Sequence, residues 1–182
     1  KQLGEKALKL AKSIGYQKGI AQSYNDLGIL YIDEANYERA IDFFINALSI
    51  RKNLQDSSGM AALYNKLGIV YQKQGRLSDA LNAQLKALAI YESSQNMAYQ
   101  AVCLNNIAII HQNLGDLERS LAYHQYALAI RIDLSDNKGE AASYLNMANV
   151  FLKLADTNSA VDFYQKASTI FQHFDDNEAY ST

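Results

Sequence analysis

Among side chains able to bind a metal or move a proton near neutral pH, Cys103, His111 and His124 fall close together in the chain. Imidazole ligates metals and titrates near neutrality, so the histidines would make a partial metal site or a pH-sensitive pair. A metal wants a third or fourth ligand. The opposing reading, which that requirement favours, is of two rings filling apolar space with a hydrogen bond or a water each. Cys103 stands eight residues before His111, more than two helical turns away, and reads as a small buried residue. It is the single cysteine, so the chain builds no disulfide framework or multi-cysteine metal site of its own. No HExxH, CxxC, P-loop, GxGxxG or nucleophile elbow occurs, and the carboxylates follow no spacing beyond solvated helix faces. No catalytic residue, metal or cofactor is assigned. The other set able to do chemistry is amide: Asn25, Asn65 and Asn105 recur at a spacing of forty residues. An amide both donates and accepts, so a stacked row can follow the peptide groups of an extended chain without reading its side chains.

The elements that position these residues come from composition and repetition. The chain has 182 residues, 49% of them hydrophobic, with 17 basic against 19 acidic side chains and a net charge of −2. That composition argues for a folded chain and gives no basic footprint for nucleic acid. No apolar run of membrane-spanning length is present, so no membrane contact by this chain is expected. Proline and tryptophan are absent altogether, which points to helices joined by tight turns.

A shift of forty residues superimposes Tyr24-Asn25, Leu27-Gly28-Ile29, Tyr31, Ala40, Ala47-Leu48 and Ile50 on Tyr64-Asn65, Leu67-Gly68-Ile69, Tyr71, Ala80, Ala87-Leu88 and Ile90. Two further shifts reach Asn105, Ile109, Ala127-Leu128 and Ile130, then Tyr144, Ala160, Ala167 and Ile170. Within each unit the apolar spacing is helical, in two stripes separated by breakers such as Gln74-Gly75-Arg76. Each unit is predicted to be a helical hairpin. Gly59 and Gly139 are expected to end helices in the left-handed conformation. Gly28 and Gly68 are expected to let the paired helix approach.

These columns resemble the tetratricopeptide repeat, which places an aromatic, Leu-Gly and Tyr on its first helix and Ala, aromatic and Ala on its second. Tyr24, Leu27-Gly28, Tyr31, Ala40, Phe44 and Ala47 match that pattern, and Gln84 departs from it in an aromatic slot. The third unit carries Leu104, Ile107-Ala108, His111, Ser120 and His124, and the fourth Tyr144, Met147-Ala148, Phe151, Ala160, Tyr164 and Ala167. The resemblance implies an all-α fold, a right-handed superhelical solenoid of antiparallel helix pairs. It also sets His111 and His124 on facing helices of one hairpin, where they would touch. The expected divisions are a second helix over 1–19, units over 20–59, 60–99, 100–139 and 140–179, and a stub at 180–182. A unit of forty residues, against the common 34, is expected to lengthen the second helix and so explain the missing prolines. Long repeats of this kind are similar to those of bacterial sensory and regulatory proteins, cell-polarity adaptors and kinesin light chains. Neither end looks like a cap, so the chain is expected to be a section of a longer protein.

The resemblance implies that first helices line a concave groove. It places Gln22, Asn25, Ile29, Asn65, Ile69, Gln72, Lys73, Asn105, Ile109, Gln112 and Asn149 there, flanked by Ile32, Asp33, Val102 and Lys153. Such a surface, polar amide with apolar spots, suits an extended peptide or protein segment; the alternative is that asparagine is repeat vocabulary on a solvated face. A carboxylate clamp is disfavoured, because Asn25 and Ile29 stand where that pattern wants Lys and Asn. Arg51 and Arg131, late in second helices, read as cations at helix ends. The leading function is a noncatalytic protein-interaction domain of a larger regulatory protein. Alternatives are the regulatory arm of a sensor histidine kinase or cyclase, self-association through uncapped ends, and a groove for a small ligand. The implied compartment is the cytoplasm, with the periplasmic face of a membrane sensor as the alternative.

Overall fold

The computed structural model describes residues 2–179, with side chains through residue 172. Lys1 and the predicted stub at 180–182 lie outside the described residues. Among the described residues there are nine α-helices and no strand: α1 (Gln2–Ser13), α2 (Gln17–Asp33), α3 (Tyr37–Asn53), α4 (Ser57–Lys73), α5 (Leu77–Ser93), α6 (Met97–Asn113), α7 (Leu117–Asp133), α8 (Asn137–Lys153) and α9 (Thr157–Ala179). The helices fall into two compact units, Lys1–Ser94 and Gln95–Thr182. In the first, α2 pairs with α3 and α4 with α5, while α1 packs on α2 and α3 on α4. In the second, α6 pairs with α7 and α8 with α9, and α7 packs on α8.

In the first three hairpins the second helices are not the longer ones, whereas α9 has 23 residues against 17 in α8. From α2 to α8 every helix has 17 residues, a length of roughly 25 Å. First and second helices therefore share the forty-residue unit equally. The missing prolines have another cause. In the connection after α3 the N–H groups of Leu54, Gln55, Asp56 and Ser57 donate to Ile50, Lys52, Arg51 and Gln55 carbonyls in turn. A proline anywhere in that run would strip a donor from a carbonyl that has one.

The middle residue of each connection is left-handed. Gly15, Gly75 and Gly115 occupy it with φ of 67°, 74° and 82°, but Ala35, Gln55, Gln95, Ser135 and Ala155 occupy it too, at 53° to 60°. Gly59 and Gly139, expected to end helices, instead lie in the first turns of α4 and α8. Their N–H groups donate to the capping carboxylates of Asp56 and Asp136 at 2.8 and 2.9 Å. A Cβ at either glycine would sit 2.6 or 2.0 Å from a capping oxygen.

Small residues bring the paired helices together. Ala40, Ala80 and Ala160 are completely buried, as are Ala47, Ala87, Ala127 and Ala167, and Leu27, Leu67, Ile107 and Met147 of the first helices are buried too. Gly28 and Gly68 act as expected. A Cβ at Gly28 would lie 2.5 Å from the Phe44 ring, and one at Gly68 would lie 2.5 Å from the Gln84 amide.

Candidate functional site

Residues spaced three and four apart on one helix form one stripe. On α2 that stripe carries Gln22, Asn25 and Ile29, and on α4 Asn65, Ile69, Gln72 and Lys73. In the second unit α6 carries Asn105, Ile109 and Gln112, and α8 carries Asn149. Gln22, Ile29, Lys73 and Asn149 are exposed, and the others are half-buried. Each unit thus presents its own run of amides broken by isoleucine.

Gln22, Asn25, Asn65, Asn105 and Asn149 already have partners inside the protein. Asp26 Oδ1 accepts from Gln22 Nε2 at 2.8 Å and from Asn25 Nδ2 at 3.0 Å. Gln84 Nε2, reaching from α5, donates to both the backbone carbonyl and Oδ1 of Asn65 at 3.1 Å. The carbonyl fixes which way the Gln84 amide points. Asn146 Nδ2 on α8 donates to Asn105 Oδ1 on α6 at 2.8 Å, joining the two first helices of the second unit. Tyr164 Oη donates to Asn149 Oδ1 at 2.6 Å. Sequence reasoning missed Asp26, Gln84 and Tyr164 as the groups that orient the row, though the Gln84 departure from an aromatic slot was a signal. Lys66, half-buried beside the row on α4, has its pKa lowered by burial, opposed by the Asp26 carboxylate.

Arg51 and Arg131 do more than sit at helix ends. Arg51 pairs with Asp56 and donates to Gln22 Oε1 at 3.2 Å. Arg131 is buried and donates to the Gly139 carbonyl at 2.8 Å and to Ser143 Oγ at 2.7 Å, tying α7 to α8. Burial lowers its pKa, opposed by the Asp136 charge.

The histidines go to different tasks. His111 stacks on Tyr123 with centroids 5.3 Å apart, its Nδ1 3.7 Å from Asp116 Oδ2. His124 is wholly buried, and neither ring nitrogen has a hydrogen-bonding partner among the described residues. Burial, with the nearby Arg131 charge, pushes its pKa down to about 4. Among the described residues no three His, Cys, Asp or Glu side chains gather as metal ligands. Cys103 is fully buried, which pushes its thiol up to about 12 and leaves it protonated.

The tetratricopeptide repeat family model matches residues 19–93 and 99–173, and the chain belongs to that family. No curated protein matches it. Solved structures share the fold at low identity. BtubC (BKLC) from P. vanneervenii is 21% identical with a TM-score of 0.86, covering 96% of this chain and 72% of that one. A putative kinesin light chain with TPR-like repeats from Podosopora anserina is 15% identical with a TM-score of 0.77, covering 95% and 86%. The Rap conjugation gene regulator of the plasmid pLS20, solved in complex with a Phr peptide, is 20% identical with a TM-score of 0.76, covering 87% and 44%. Repeats of this family point to protein–protein interaction, and the fold is generally non-catalytic. No helix among the described residues is long and apolar enough to cross a membrane.

Proposed function

We propose that the chain is an interaction module that captures an extended peptide or protein segment on the first-helix faces, within a larger regulatory or signalling protein of the cytoplasm. The observation that carries this reading is the orientation of the asparagines by internal bonds. Asn105 Oδ1 is taken by Asn146, so its Nδ2 is presented to a ligand carbonyl. Asn25 Nδ2 is taken by Asp26, so its Oδ1 is presented to a ligand N–H. Amides held in place before binding lose less freedom on binding. Ile29, Ile69 and Ile109 supply apolar anchors between them. The Rap regulator, a structural neighbour solved with a bound peptide, supports both the ligand class and the regulatory setting.

Each amide contact nets about 1 kcal/mol, so three or four with an apolar anchor give affinity on the order of micromolar. The test is to pan random linear peptides against the chain and measure those selected on the first unit against the double variant Asn25→Ala/Asn65→Ala. Loss of two contacts weakens binding roughly 30-fold with the helical circular dichroism unchanged. Equal affinity for both proteins removes these faces from the function.

A further inference from the structure

In three of the four helical hairpins the same position of the second helix carries an aromatic ring. Phe43 stacks on Tyr31 with centroids 5.3 Å apart and planes at 11°; Tyr123 stacks on His111 at 5.3 Å and 11°; Phe163 stacks on Phe151 at 5.2 Å and 16°. Phe43 and Phe163 are also tilted against a second ring, Tyr24 at 5.8 Å and Tyr144 at 5.9 Å. In the second hairpin this position is Ala83, yet both walls are retained: Tyr64 matches Tyr24 and Tyr144, and Tyr71 matches Tyr31 and Phe151. A cavity of about 250 Å³ lies there, walled by Tyr64, Tyr71 and Ala83 with Ile45 and Leu48 of α3.

The cation of the filled slot is also retained. In the fourth hairpin Lys166 Nζ stands 4.7 Å from the Phe163 centroid and 5.8 Å from that of Tyr144. Its counterpart Lys86 lines the cavity, with Nζ 5.6 Å from the Tyr64 centroid. Arg76 stands over Tyr71 at 4.4 Å, held by Asp79 at 2.7 Å, and the cavity remains beside it.

We propose that the slot at Ala83 receives one aromatic side chain, tyrosine or tryptophan, from a partner protein segment. The ring stacks on Tyr71, tilts against Tyr64 and lies under Lys86, in the geometry that Phe163 adopts within its own hairpin. The size agrees, since a cavity of ~150 Å³ lined by apolar side chains takes up benzene. Asp79 and Asn82 at the rim offer acceptors to a phenol O–H or an indole N–H. Exposed Ile45 at the margin gives the segment's backbone an apolar place to lie. This site uses α3 and α5 as well as α4, apart from the asparagine face, and stands or falls independently of it.

The probes are blocked pentapeptides Ala-Ala-X-Ala-Ala with X as Trp, Tyr or Leu, and free indole, titrated against the isotope-labelled chain by NMR. The Trp and Tyr peptides shift Tyr64, Tyr71 and the Ala83 methyl with Kd on the order of 1 mM, and the Leu peptide binds about tenfold more weakly. Ala83→Phe supplies the ring from within; it stays folded and loses the response. Should that variant unfold, Tyr71→Leu removes a wall and loses the response in its place. Equal response to the Leu and Trp peptides, or a response retained in the variant, overturns the site. Indole binding as tightly as the Trp peptide overturns the partner segment as its source.

Discussion

Replacing Gly28 by alanine isolates what the close approach of α2 and α3 requires. The added Cβ would lie 2.5, 2.7 and 3.0 Å from three atoms of the Phe44 ring, where ordinary contact begins at 3.4 Å. Phe44 is completely buried, so the ring has no solvent to move into, and a retreat near 1 Å pushes on the neighbouring core. Overpacking of this kind costs about 1 to 3 kcal/mol. Alanine in a helix interior returns about 1 kcal/mol relative to glycine. The net is a loss of roughly 1 kcal/mol with 2 at the upper end, read by denaturant unfolding followed by far-ultraviolet circular dichroism. Phe44→Leu in the same chain should relieve the clash, so the two substitutions together cost about 1 kcal/mol less than the sum of each alone. The converse, Ala108→Gly in the third hairpin, loses about 1 kcal/mol because that helix has already accepted the methyl. If Gly28→Ala is more stable than the parent, and additive with Phe44→Leu, then close approach is not what the glycine provides.

Two other perturbations follow from the same packing. His124 stays neutral in the folded chain down to about pH 4, whereas its unfolded counterpart takes up a proton below 6.5; the unfolded state binds more protons between those values, so stability falls as pH drops through that window, by up to about 3 kcal/mol. His124→Leu should remove that fall, so parent and variant stability curves that run parallel from pH 7 to 4.5 contradict the burial of a neutral ring. Gln55, left-handed at φ 56°, should gain up to about 1 kcal/mol on replacement by glycine, and Gly75→Ala should lose a similar amount; thermal melts of the two variants moving the same way would contradict the connection geometry.

The fold was legible because identical residues recur every forty positions, and a hairpin repeated four times leaves one consistent set of apolar faces. Gly28 and Gly68 were readable for the same reason, as breaks in side-chain bulk at a helical position. The left-handed residues were not, because glycine fills that position in only three connections, and Ala35 or Gln55 carries no mark of a positive φ. The equal helix lengths from α2 to α8 were hidden as well, since Gly59 and Gly139 look like helix ends until their amides are seen on the caps. Candidate groove residues could be named from the resemblance to the repeat family, but their bonds depend on side chains from other helices, Gln84 and Tyr164 among them. The Ala83 slot was written in the column Phe43, Ala83, Tyr123, Phe163, and only the stacked geometry gave the gap a shape.

The capture of an extended segment on first-helix faces is tested most directly by amide chemical-shift mapping with a selected peptide. Perturbations concentrated at Gln22, Asn25 and Ile29 of α2, Asn65 to Lys73 of α4, and Asn105, Ile109, Gln112 and Asn149 of the second unit are the predicted result. A footprint confined to α3, α5, α7 and α9, with the asparagine amides unmoved, would contradict it.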